Sequence, residues 1–91
     1  MLVTLRQLEY VLAVAETGSF SKAAEVCYAE QSTISQQVKV MEDRLGVVIF
    51  ARGNYPLKPT PEGLEIIRQA QDIMQKVNEM VEPFKSPKAK G

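Results

Sequence analysis

The 91-residue sequence has no histidine and one cysteine, Cys27. These absences exclude the usual zinc ligand sets, a Ser/His or Cys/His catalytic pair and an intrachain disulfide, so no metal, no cofactor and no enzyme activity are expected. Long hydrophobic runs are also missing. The longest, Gly46-Val47-Val48-Ile49-Phe50-Ala51, is far short of the ~20 residues a membrane span needs, and no membrane partner is expected. The N-terminus, Met1-Leu2-Val3-Thr4-Leu5-Arg6, lacks the basic-then-apolar order of a secretory signal, which makes a reducing cytoplasm the expected compartment. Neither charge is in excess, with 11 Lys and Arg against 11 Asp and Glu. That balance argues against a nucleic-acid binder until the distribution is considered.

Residues 1–31 carry Arg6 and Lys22 against Glu9, Glu16, Glu25 and Glu30. Residues 32–60 carry Lys39, Arg44, Arg52 and Lys58 against Glu42 and Asp43 only. A surface for a polyanion therefore belongs in the middle of the chain. The size sets one small domain with 45% hydrophobic residues, enough for a single core.

Thr4 and Gln7 have capping-box spacing, and Leu5, Leu8, Val11, Leu12 and Ala15 follow at helical intervals. They predict a first helix that ends near Thr17-Gly18. Ser19 and Ser21 are alternative caps for a short second helix from Lys22 to about Tyr28, with Ala23, Ala24 and Cys27 on one face and Cys27 read as a buried small hydrophobe. After a polar break at Ala29-Glu30-Gln31, Ile34, Val38, Met41 and Leu45 form the stripe of a third helix that Gly46 stops. Val47 to Phe50 reads as a strand, Gly53 to Pro56 as a turn and Leu57 to Thr60 as the return, with Pro59 restricting this hairpin to two strands. Thr60, Pro61 and Glu62 then open a fourth helix running to about Glu82, where Pro83 ends it. Ile67, Ala70, Met74, Val77, Val81 and Phe84 alternate by three and four along it as a dimerisation seam, flanked by Ile66, Ile73 and Met80. The fold class expected is mainly α: a winged helix-turn-helix over residues 1–60 with a two-stranded β wing, a long linker and dimerisation helix over 61–84, and a flexible tail over 85–91.

Off the apolar stripe, the third helix begins with hydroxyls and amides crowded together. Gln31, Gln36 and Gln37 suit the bidentate edge of adenine, and the hydroxyls of Thr33 and Ser35 can reach bases or phosphates. Lys39 adds a cation on the same helix. Arg52, where the hairpin begins to project, is expected in a narrowed minor groove, and Lys58 on phosphate. The same residue types also suit an ordinary solvated helix start, so a winged-helix protein-interaction module that does not touch DNA stands as the alternative.

Several separated motifs now agree. Gln7-Leu8-Glu9-Tyr10, Gly18 to Glu25, Gln31 to Ser35, Glu42-Asp43-Arg44-Leu45-Gly46, Ile49-Phe50-Ala51-Arg52 and Thr60-Pro61-Glu62-Gly63 resemble the N-terminal DNA-binding domain of LysR-type transcriptional regulators, from residue 3 to about 82 without gaps. Tyr10, Cys27 and Pro56 to Thr60 look most like the peroxide-responsive, OxyR-like branch. The resemblance implies a homodimer paired through the linker helix on a near-palindromic duplex operator. It also implies that this chain is the N-terminal piece of a longer regulator whose small-molecule effector binds a C-terminal domain. Carried over by position, Gln31, Ser32, Thr33, Ser35 and Gln36 would contact bases or phosphates and Arg52 the minor groove. The chain departs from the family pattern at Glu30 and Ser32, where a small hydroxyl residue and a proline are common, and at Gln36, where many members have arginine.

Overall fold

The computed structural model describes residues 1–85, and in it helices α1 (Leu5–Thr17), α2 (Phe20–Cys27), α3 (Gln31–Leu45) and α4 (Pro61–Lys85) form the body, and a hairpin of β1 (Phe50–Ala51) and β2 (Lys58–Pro59) lies between α3 and α4 in the chain. The capping box of α1 is complete. The Gln7 amide donates to Thr4 Oγ1 at 3.1 Å and the Thr4 amide to Gln7 Oε1 at 3.0 Å. Of the two serines available to α2, Ser19 is the cap, accepting from the Lys22 amide at 3.1 Å, so the helix starts at Phe20 rather than Lys22. Tyr28 ends it in the left-handed region, with the Tyr28 and Ala29 amides donating back to Glu25 and Ala24. Gln31 belongs to α3 rather than to the break before it, and Glu30 occupies the N-cap position with no side-chain capping bond.

The core is one cluster in which Val11 and Val14 of α1, Ile34, Val38 and Met41 of α3, and Ile49 and Phe50 beside the wing are fully buried. The stripe read from the sequence of α3 faces this core, with Leu45 packed at its margin.

The strands are shorter than the apolar run suggests, because the amides of Ile49, Phe50 and Leu57 bond outside the hairpin. Across the hairpin Thr60 still donates to the carbonyls of Val48 and Ile49, but Glu42 of α3 takes the amides of Ile49 and Phe50, and the Leu57 amide donates to the carbonyl of Gly18, the C-cap of α1, at 2.8 Å. What remains is an antiparallel pair with Phe50 opposite Pro59 and Ala51 opposite Lys58. Each bond that shortens the ladder fastens the wing to a helix instead. The wing thereby becomes a fixed projection of the helical body.

Helix α4 has 25 residues, about 37 Å of helix. Its first turn is capped by Thr60 Oγ1, which accepts from the Gly63 amide at 2.9 Å. Ile67 and Ala70 are buried where α4 packs on α1, and Met74 is half-buried at the edge of the core. The expected seam is therefore divided: its first two residues are spent inside the fold, because α1 lies against that end of the helix. Beyond Met74 the helix runs clear of the core, with Val77 half-buried and Met80, Val81 and Phe84 exposed, as is Ile73 just before it. Its outer face carries Glu65–Arg68, Lys76–Glu79 and Glu82–Lys85 ion pairs three residues apart, solvent-exposed contacts of the spacing that supports a helix locally. Pro83 does not end the helix, which continues to Lys85. A proline this close to a helix end removes one hydrogen bond, and the carbonyl so freed belongs to the exposed Glu79 and can take water. Apart from Lys85, the expected flexible tail at 85–91 lies outside the described residues.

Candidate nucleic-acid interface

Helices α2 and α3, joined through Tyr28, Ala29 and Glu30, have the arrangement of a helix-turn-helix, with α3 in the recognition position. Burying Ile34, Val38 and Met41 turns the rest of α3 outward. Gln31, Ser32, Thr33, Gln36 and Lys39 are exposed, and Ser35 is half-buried with its hydroxyl donating to the Ser32 carbonyl at 3.5 Å. The side chains of Gln31, Ser32, Thr33 and Gln36 make no hydrogen bond to other described residues, so their donors and acceptors remain available to a partner. Lys39 Nζ lies 3.0 Å from Asp43 Oδ1, an exposed pair that water or a phosphate can replace at little cost. Lys58 is exposed on β2.

Two side chains that the sequence offers to a partner are engaged within the fold. The amide oxygen of Gln37 is engaged within the fold, accepting from Nε2 of the buried Gln7 at 2.9 Å, which ties α3 to α1 and withdraws that oxygen from a bidentate contact. Arg52 is not free to enter a groove as placed. Its Nη1 and Nη2 donate to the two carboxylate oxygens of Glu42 at 3.1 and 3.2 Å, Nη1 also reaches the Phe50 carbonyl, and the guanidinium lies over the Phe20 ring at 5.2 Å. A buried carboxylate needs cationic and amide partners, and Glu42 takes them from the wing.

Sequence reasoning missed Glu42 as a participant. The signal was its register, four residues after Val38 on the face that packs inward, which is unusual for a carboxylate. It also missed the exposed Tyr28 at the helix-turn-helix connection and Asn54 and Tyr55 at the tip of the wing.

Cys27 is half-buried beside Glu9 and Arg6 in an open groove between α1, α2 and α4. Burial, then the Glu9 carboxylate, push its thiol above the usual range, with Arg6 opposing. Since the thiolate is the nucleophile, alkylation of Cys27 by iodoacetamide at pH 8 is expected to be slower than that of a free cysteine; an equal or faster rate would contradict the burial. Among the described residues no cluster of three or more Cys, Asp or Glu is placed to hold a metal ion, and no helix is long and apolar enough to cross a membrane.

Residues 5–64 match the model of the bacterial regulatory helix-turn-helix proteins of the lysR family. The chain belongs to that family. Among LysR relatives, the HTH-type transcriptional regulator MetR of Haemophilus influenzae is 43% identical over 72 residues, covering 79% of this chain and 23% of MetR. The hydrogen peroxide-inducible genes activator of Pectobacterium carotovorum is 35% identical over 80 residues, covering 88% of this chain and 26% of the activator. The chain thus spans about a quarter of the length of these LysR relatives. Among solved structures, the BenM DNA-binding domain in complex with benA site 1 DNA superposes with a TM-score of 0.86 at 37% identity, over 91% of this chain and 93% of that one. The CbnR DNA-binding domain in complex with DNA gives 0.83 at 29% identity, over 91% and 95%. The winged helix-turn-helix expected from the sequence is the fold that these LysR domains share.

Proposed function

We propose that this chain binds duplex DNA in a sequence-specific manner as a homodimer and so regulates transcription, as the DNA-binding part of a longer LysR-type regulator. The observation that carries the reading is the leading half of α3, polar, exposed and with four side chains unengaged, in a fold that DNA-bound LysR domains share. On this reading Gln31, Ser32, Thr33, Ser35 and Gln36 meet base edges and phosphates in the major groove, and Lys39 and Lys58 neutralise phosphate. Residues 1–60 form the reading module and 61–84 the linker helix. Val77, Val81 and Phe84 carry the pairing, and the twofold axis calls for a near-palindromic operator. No covalent bond is made or broken, and the work is done in the bacterial cytoplasm, where the operator is. Any small-molecule effector belongs to a C-terminal domain of the longer protein.

Selecting bound duplexes from a random pool, followed by titration in salt, tests this directly. Two lysine contacts per protomer predict a slope of about −4 for the logarithm of affinity against the logarithm of salt. Gln31→Ala is expected to relax preference at one or two base positions by ~1–3 kcal/mol, and Lys39→Ala to weaken all sequences alike and flatten the slope. Failure to bind any duplex at low salt would instead support the protein-interaction module, a reading that the zero net charge favours.

A further inference from the structure

Glu42 does two jobs at one place in the chain. Its carbonyl accepts the Gly46 and Val47 amides at 2.8 and 3.1 Å, ending α3, while its carboxylate accepts the Ile49 and Phe50 amides at 2.7 and 3.3 Å, starting the wing. The side chain is only 6% exposed, yet all of this capacity is satisfied from within, with both Nη atoms of Arg52 completing the set. Arg52 in turn covers the ring of Phe20, the first residue of α2. One buried carboxylate and one guanidinium therefore join α2, α3 and the wing at a single point. A bidentate pair fixes the angle between its partners as well as their separation, which a single bond or a lysine cannot do.

We propose that Glu42 and Arg52 are positioning residues for DNA recognition: they hold the wing in register with α3, so that wing and helix meet the duplex as one rigid surface, and Arg52 itself contributes no phosphate or groove contact. This rests on the DNA-binding reading above. It gives the pair a role that differs from both a DNA contact and general support of the fold. A contact adds counterion release and so changes the salt slope; general support, when removed, loosens every element together. A register device loosens only the wing.

The test uses Glu42→Gln, which keeps an acceptor for the amides, together with Arg52→Lys, Arg52→Gln and the Glu42→Gln/Arg52→Gln double variant. In the free protein, amide hydrogen exchange at Ile49 and Phe50 is expected to quicken by about tenfold in Glu42→Gln, with Val38 and Met41 unchanged. On a selected duplex, hydroxyl-radical footprinting is expected to lose the protection given by the wing and to keep that given by α3. The salt slope of Arg52→Gln should equal that of the unaltered chain, and the double variant should bind no worse than the weaker single one, because the two residues act as a unit. Unchanged exchange at Ile49 and Phe50, equal acceleration along α3, additive losses, or a slope flatter by about one per protomer in Arg52→Gln would each overturn the proposal. If the exchange result is as expected but the unaltered chain protects no duplex, the DNA-binding reading fails, and the positioning role with it, while the joint between α3 and the wing stands.

Discussion

Gly63→Ala is expected to lower the unfolding free energy by about 3 kcal/mol, a large part of the stability of a domain this small. A Cβ at position 63 would lie 2.1 Å from the Ile49 carbonyl oxygen, 2.9 Å from its carbon and 3.0 Å from the Ile49 Cα. All three are backbone atoms and no side chain can swing aside. The Ile49 carbonyl is moreover fixed by the Thr60 amide at 2.9 Å, and the Gly63 amide by Thr60 Oγ1. Relief therefore requires the first turn of α4 to lift from the wing, which withdraws Ile67 and Ala70 from α1. Gly46→Ala is the control. A Cβ there meets nothing within 4 Å, and the cost of a side chain at φ 72° should be only about 1 kcal/mol. Urea unfolding midpoints of the two variants measure the difference, and equal midpoints would mean that α4 accommodates the methyl group without leaving its seat.

The largest effect on function is expected from Val77→Glu. Val77 lies past the part of α4 that packs on the core, between the half-buried Met74 and the exposed Val81, with Phe84 80% exposed one turn further. If α4 pairs with its copy as proposed, a carboxylate in the middle of that apolar contact has no partner to offset its desolvation, so sedimentation should report a dimer for the unaltered chain and a monomer for the variant. Because two half-sites bound by one dimer gain from effective concentration, affinity for a two-half-site operator should fall by about 10²- to 10⁴-fold, while affinity for a single half-site changes little. Circular dichroism should show helix content retained, since Val77 is not part of the buried cluster. A dimer that survives Val77→Glu would remove the distal half of α4 as the pairing surface.

Local rules made much of this fold legible. The Thr4 capping box, the Thr60 cap and the left-handed stop at Gly46 each depend on residues a few positions apart, and all three stand where the sequence puts them; for α2 the sequence offered two serines, and the structure takes Ser19. The stripe of α3 was legible for the same reason, and once its apolar side was known, the exposed set from Gln31 to Lys39 followed by exclusion. Residues whose partner lies elsewhere in the chain were not legible. Arg52 and Lys58 look equivalent in sequence, two cations on one hairpin, yet only Arg52 has a buried carboxylate ten positions back. Gln36 and Gln37 are neighbours with the same side chain, and a rotation of about 100° along the helix leaves one in solvent and aims the other at Gln7.

The four helices, the caps at Thr4, Thr60 and Gly46 and the polar leading face of α3 were thus legible in the order of residues alone, because capping and helical periodicity act within a turn or two, whereas the start of α2 and the end of α4 were not. Tertiary structure decided which cations stay free, how short the wing strands are, and where along α4 the domain's own packing stops. Each of those outcomes depends on a buried group finding its partner across the fold, and the pairing of Glu42 with Arg52, of Gln7 with Gln37 and of Gly63 with the Ile49 carbonyl exists only once the helices have closed on one another.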